Sequence, residues 1–257
     1  MSQKILKNKP LVEALVEVRW ALDSPAPNVN VDPYYKLLLG RLFDRVKTAY
    51  PEHEQLPSAL MPDEFAGYIV QHRFRRTVNG WPLVQVGPGI FAVNETVTYV
   101  WDDFRDRAIS AVKALFEAHP KPEALIITSL LLRYIDARPF DYGQEDVLAF
   151  LREKMGVEVL FPSSLFEDTN IKHVPKSFTT QAAFDCGSPP GTVSLGFATG
   201  TSDDQQALVW ETTVQSGVSE IPTMPDDFDA WLDAAHVITH DWFFKLIEGD
   251  LEKEFGG

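Results

Sequence analysis

The side chains best suited to chemistry in this chain are arginines interleaved with carboxylates. In the stretch V-E-A-L-V-E-V-R-W (12–20), successive strand side chains point to opposite faces. Glu13, Glu17 and Arg19 then share one face, while Val12, Ala14, Val16, Val18 and Trp20 share the other. Gln85, Arg133 and Glu211 occupy comparable positions in other candidate strands. If those strands adjoin, Glu13, Glu17, Arg19, Gln85, Arg133 and Glu211 form one patch of alternating charge that binds a ligand or partner. A guanidinium beside a carboxylate suits bidentate pairing, either within the patch or with an acidic ligand that displaces one carboxylate.

Other constellations are weaker. His236 and His240 lie four apart in a helical segment with Asp233 one turn earlier, a spacing that suits two metal ligands. Val237 stands where a metalloprotease carries glutamate, and spacing places no third histidine, so the simpler reading is two surface or partly buried helix histidines and no metal. In the run His72-Arg73-Phe74-Arg75-Arg76, alternation puts His72, Phe74 and Arg76 on one face and Arg73 and Arg75 on the other. That splits the charge, and internal partners for acidic residues account for it better than stacking on single-stranded nucleic acid. Cys186, in a turn-like D-C-G-S with His173 in the same half, is read as incidental, because a nucleophile needs a base in reach. Gly87-Pro88-Gly89 precedes a strand and lacks the Lys-Ser/Thr ending of a phosphate loop, so it is a turn. With no G-x-S-x-G, cysteine pair or dinucleotide fingerprint, no catalytic residue and no cofactor is assigned.

These residues need a sheet to position them. After the first strand comes a loop at 24–28, then Asp32-Pro33 as a helix start, followed by Tyr35, Leu38, Leu39, Leu42, Phe43 and Val46 at helical spacing. Residues 65–77, 83–86 and 90–97 read as strands, with Asn79-Gly80 and Gly87–Gly89 as turns. A helix opens at Trp101 and ends near His119-Pro120, and a long strand covers 124–137. The second half offers a short helix at 145–155, an irregular loop at 162–175, and strands at 177–185, 192–199 and 206–215 with turns at 187–191 and 200–204. A closing helix spans 226–254. The expected fold class is α+β: a mostly antiparallel sheet covered on one face by helices, built as two β/α halves (1–140 and 141–257) within a single domain, with a long C-terminal helix.

Composition bounds the function. The chain has 257 residues, 45% of them hydrophobic and 12% aromatic, enough for a sizeable core. A net charge of −14 repels phosphate backbones and disfavours nucleic acid as a partner. From Glu220 to Glu254 ten acids face only Lys245 and Lys253, which reads as a solvated helix face or a dock for a basic partner. The longest apolar runs fall short of the ~20 residues a membrane helix needs. Residues 1–7 are basic without a following apolar stretch, and Cys186 stands alone, so the expected compartment is the reducing cytosol.

Four blocks, Lys9-Pro10-Leu11-Val12-Glu13 to Trp20, Val84-Gln85-Val86-Gly87-Pro88 to Asn94, Leu132-Arg133-Tyr134-Ile135-Asp136, and Ala235-His236 to Phe243, together resemble a sporadically distributed, uncharacterised bacterial family of about this length. One departure is Asp136, where the family pattern carries asparagine. The resemblance implies a bacterial or archaeal source and no established catalytic residues. Scattered occurrence fits an accessory of a mobile defence or toxin–antitoxin module. The expected function is a non-enzymatic binding or interaction protein that engages a protein partner, a second copy of itself or a small charged ligand. The alternative is an enzyme with a polar cavity between sheet and closing helix, using Arg19, Arg133 and nearby carboxylates.

Overall fold

A computed structural model describes residues 6–27, 29–96, 98–202 and 204–257. Of the sequence expectations, the start of the amino-terminal stretch (1–5), Asn28 of the first loop, Val97 of the third strand segment and Asp203 of a turn lie outside the described residues.

The first half runs β1 (Leu11–Trp20), a two-stranded ribbon of β2 (Asp23–Ala26) and β3 (Val29–Val31), α1 (Tyr35–Val46), then β4 (Glu52–Gln55), β5 (His72–Arg75), β6 (Leu83–Gly87) and β7 (Ile90–Glu95). After these come α2 (Trp101–Ala118) and β8 (Ile127–Pro139). The second half comprises α3 (Val147–Met155), β9 (Thr179–Gly187), β10 (Pro190–Ser202), β11 (Gln205–Gly217), α4 (Phe228–Leu246) and α5 (Asp250–Glu254). Among the described residues, nine strands form one sheet in the order β4-β5-β6-β7-β1-β8-β11-β10-β9, every neighbouring pair antiparallel. The α+β class with a mostly antiparallel sheet is therefore correct, and no helix among the described residues is long and apolar enough to cross a membrane.

Register explains the core. β1 pairs Val16 with Val93 of β7 and with Leu132 of β8, and Leu132 in turn pairs with Val214 of β11. These cross-strand neighbours share a face. They bury with Ala14, Val18 and Trp20, together with Leu38 and Leu42 of α1, Phe104 and Leu115 of α2, and Phe228, Trp231 and Leu232 of α4. Val12 is the exception at 39% exposure, because a register shift between Leu11 and Glu13 takes it out of the alternation. A second cluster joins Phe140, Leu151, Phe197, Leu208 and Trp210 to Ile247 and Leu251.

Several boundaries differ from the sequence reading. The helix α1 begins after Tyr34, later than expected, although Asp32 still ties down its entry: Oδ1 accepts from the Tyr34 amide at 3.0 Å, while Oδ2 accepts from the Trp20 indole at 2.9 Å and the Gly89 amide at 3.3 Å. The expected strand at 65–77 shrinks to β5, because the chain folds over the β6–β7 turn, with the Tyr68 amide donating to Pro88 O at 2.8 Å. The edge strand β4, E-H-E-Q, has no apolar alternation and was not expected. The closing helix breaks at Gly249, whose φ of +99° favours glycine, giving α4 and α5 in place of one rod. Cys186 belongs to β9 and packs against the core, where a turn was expected.

Candidate functional site

Register brings the six expected binding residues to one face. Glu13, Glu17 and Arg19 of β1, Arg133 of β8 (opposite Leu15), Glu211 of β11 (opposite Ile135) and Gln85 of β6 (opposite Ala92) all point away from the helix-packed cluster. Internal pairing occupies much of them. Arg19 Nε reaches Glu17 at 2.6 Å. Glu13 accepts from Asn94 Nδ2 at 2.6 Å, Gln85 donates to Asn94 Oδ1, and Arg73 donates to Gln85 at 2.9 Å. Asn94, central to this chain and almost wholly buried, was missed because an amide in an apolar strand carries no motif. Arg133 is held more loosely, with Nη1 3.9 Å from Glu211 and its buried Nε without a hydrogen-bond partner.

The basic run also finds internal partners: Arg75 Nε donates to Glu54 at 2.7 Å, and His72 Nδ1 lies 2.8 Å from His53 Nε2. In the acidic closing segment, Asp233 accepts from both Nε and Nη2 of Arg105, Asp241 pairs with Lys245, Asp250 with Lys154, and Glu254 with Arg138. His173 stacks on Phe166 at 4.4 Å between ring centroids.

A cavity of about 160 Å³ opens on the opposite, helix-facing side. Its walls come from the segment leading into β1 (Lys9, Leu11), the turn into α2 (Tyr99, Trp101), β8 (Tyr134, Asp136), β11 (Thr212) and α4 (His236, Thr239, His240, Phe243). A sheet-to-helix cavity was expected, but with Arg19 and Arg133 in it. Both arginines lie on the other face, outside this cavity.

The alternation of β8 sets the polar groups of this cavity. Tyr134 and Asp136 are two apart and therefore project to the same side, toward α4. One turn of α4 then brings His236 and His240 over them, rings 5.4 Å apart. The Tyr134 hydroxyl lies 2.8 Å from that of Tyr99 and 3.1 Å from His236 Nδ1, a continuous polar chain across the wall. The His236 ring stacks flat on Trp101, centroids 3.6 Å apart with planes 9° apart. Burial pushes the His236 pKa down to about 3 and holds both phenols above their ordinary range, so all three side chains are neutral near pH 7. The pair His236/His240 thus serves the wall; among the described residues no group of three or more potential metal ligands gathers.

Asp136 is the exception in this wall. It is 3% exposed, and among the described residues no hydrogen bond or ion pair reaches its carboxyl. Burial raises its pKa to about 8. Trp210, directly opposite on β11, also has a buried indole N–H with no partner. Buried polar groups are nearly always paired, and an exception in a cavity wall marks a place where something else supplies the partner. Lys9 stands exposed at the margin, its ammonium donating to Tyr99 O at 2.6 Å. The signal for Asp136 in the sequence was a carboxylate on the apolar side of a strand, visible once the alternation through Leu130 and Leu132 is extended. The chain matches no protein-family model, no curated protein and no solved structure.

Proposed function

We propose that this chain is a non-enzymatic binding protein whose ligand occupies the cavity between β8, β11 and α4. On this reading the helices cover the apolar face of a single-domain sheet, and α4 holds the cavity open at the margin of that cover. The ligand is a small molecule with an apolar body and one polar group. The observation that carries the reading is the carboxyl of Asp136, unpartnered among the described residues, in the wall of an aromatic-lined space. The walls are chiefly apolar, with few convergent polar groups, which is the usual make-up of small-molecule sites. An apolar cavity of about 150 Å³ takes benzene, so this one suits ligands of that size. Heteronuclear NMR with a panel of benzene-sized amines, alcohols and carboxylates tests the placement. Shifts centred on Trp101, Tyr134, Thr212 and His236 support it; shifts centred on Glu13, Arg19 and Glu211, or none, overturn it.

A second surface is supported by Arg133, whose side chain is part-exposed and whose Nη1 lies a long 3.9 Å from Glu211. A protein partner presenting a carboxylate would complete that guanidinium's hydrogen bonding. Co-purification from the native host with wild type and Arg133→Ala tests this. A partner retained equally by both removes this surface from consideration.

A further inference from the structure

We infer that the cavity selects an organic cation, an alkylammonium whose positive end pairs with Asp136 while its apolar body lies among the aromatic rings. This deepens, and rests on, the cavity reading above. Among the described residues, Asp136 is the one carboxylate lining the cavity and no cation pairs with it. The nearby acids on α2 and α4 are engaged elsewhere or outside the wall: Asp233 is bound by Arg105. Lining the same cavity are Tyr134 from its own strand, Tyr99 and Trp101 at the start of α2, and His236 and Phe243 from α4. Aromatic faces carry partial negative charge and attract ammonium groups, and the attraction is strongest where water is excluded. A buried carboxylate among such faces is a two-part recognition element for a cation.

The charged groups facing the site fix the pH behaviour. His236 and His240 are both held below their ordinary range by burial and contribute no positive charge near neutrality. Lys9 is the single cation in the wall among the described residues; its ammonium is bound to the Tyr99 carbonyl at 2.6 Å and lies 5.9 Å from the Tyr99 ring centroid, and its exposure to solvent lets screening weaken its repulsion. Asp136 itself must lose its proton for the ion pair to form. With its pKa near 8, affinity for a cation rises about tenfold per pH unit between pH 6 and 7 and levels off above about pH 8.

The test is calorimetric titration of the full chain with n-butylammonium, n-butanol and butyrate at pH 6, 7 and 8.5. The inference expects n-butylammonium to bind more tightly than n-butanol at pH 8.5, with affinity rising with pH. Asp136→Asn should weaken it by about ten- to a hundredfold, the worth of a charged hydrogen bond. Should that variant fold poorly, the pH dependence of the wild type alone reads the same point. Binding of n-butanol or butyrate that equals or exceeds that of n-butylammonium at pH 8.5, or a cation affinity that falls as pH rises, overturns the inference and leaves the cavity reading standing. Absence of binding by all three overturns both.

Discussion

Replacing Asp136 by asparagine should make the protein more stable at neutral pH, by an amount that grows with pH. The native carboxyl keeps its proton up to about pH 8, against an ordinary value of 3.8. The folded state therefore binds this proton more tightly than the unfolded chain. Stability linked to it is complete below about pH 4 and is lost as pH rises toward 8, at about 1.4 kcal/mol per unit. Over the full interval the loss approaches about 6 kcal/mol, a large share of a domain's stability. Asparagine has the same shape and no proton to lose, so its penalty is fixed. The stability difference, variant minus wild type, should widen by about 2.7 kcal/mol between pH 5 and pH 7 and flatten above pH 8. Urea denaturation at pH 5, 6, 7 and 8 measures it. Subtraction matters because His236 titrates in the opposite sense across part of the same range and cancels between the two proteins. Parallel profiles, with the difference constant across pH, would refute the claim that this carboxyl is buried without a partner.

Other substitutions probe separate links in the argument. His236 is held neutral to about pH 3, so its contribution to stability should be lost as pH falls below about 6.5, opposing the gain from Asp136; the stability difference, wild type minus His236→Phe, should therefore fall by up to about 1.4 kcal/mol per unit in acid urea melts. Val12→Asp should change stability by no more than about 0.5 kcal/mol, whereas Val16→Asp should cost at least about 3 kcal/mol or abolish folding; equal effects would contradict the register shift at the start of β1. Glu95 is wholly buried and paired with Arg107 at 3.0 Å. Arg107→Ala should cost about 3–5 kcal/mol by stranding that charge, and adding Glu95→Gln should recover part of it in a double-mutant cycle.

The legible part of the sequence was its period. Alternation from residue 12 to 20 identified the central strand and its buried face because apolar side chains there alternate with charge, and the leucine stripe of α1 was visible for the same reason at a longer period. The six-residue patch was legible as geometry, since a shared parity in strands that adjoin is enough to bring side chains to one face. Two things defeated the same logic. Polar edge strands such as β4 owe their conformation to a neighbour's hydrogen bonds, and a solitary turn residue such as Tyr68 redirects the chain where local alternation continues on paper. The lining of the cavity was hidden for a deeper reason: its walls come from segments as far apart in the chain as Lys9 and Phe243, and even the directly contacting pair Tyr134 and His236 is 102 residues apart, a distance no local pattern spans.

The anomaly that marks the cavity was nevertheless present in the chain. Leu130, Leu132, Tyr134 and Asp136 share the parity of the buried face, so a carboxylate at the fourth position breaks the pattern that the first two establish. A strand end ordinarily accommodates such a residue by reaching solvent or a cation. Here α4 passes over the strand end, and Lys9, the lysine in the cavity wall among the described residues, is committed to a backbone carbonyl. Position along the strand thus explains why an acid was tolerated, and the helix above explains why it carries a cost. The excess of acids over bases throughout the chain acts in the same direction, since a net charge of −14 draws small cations toward the surface from which this cavity opens.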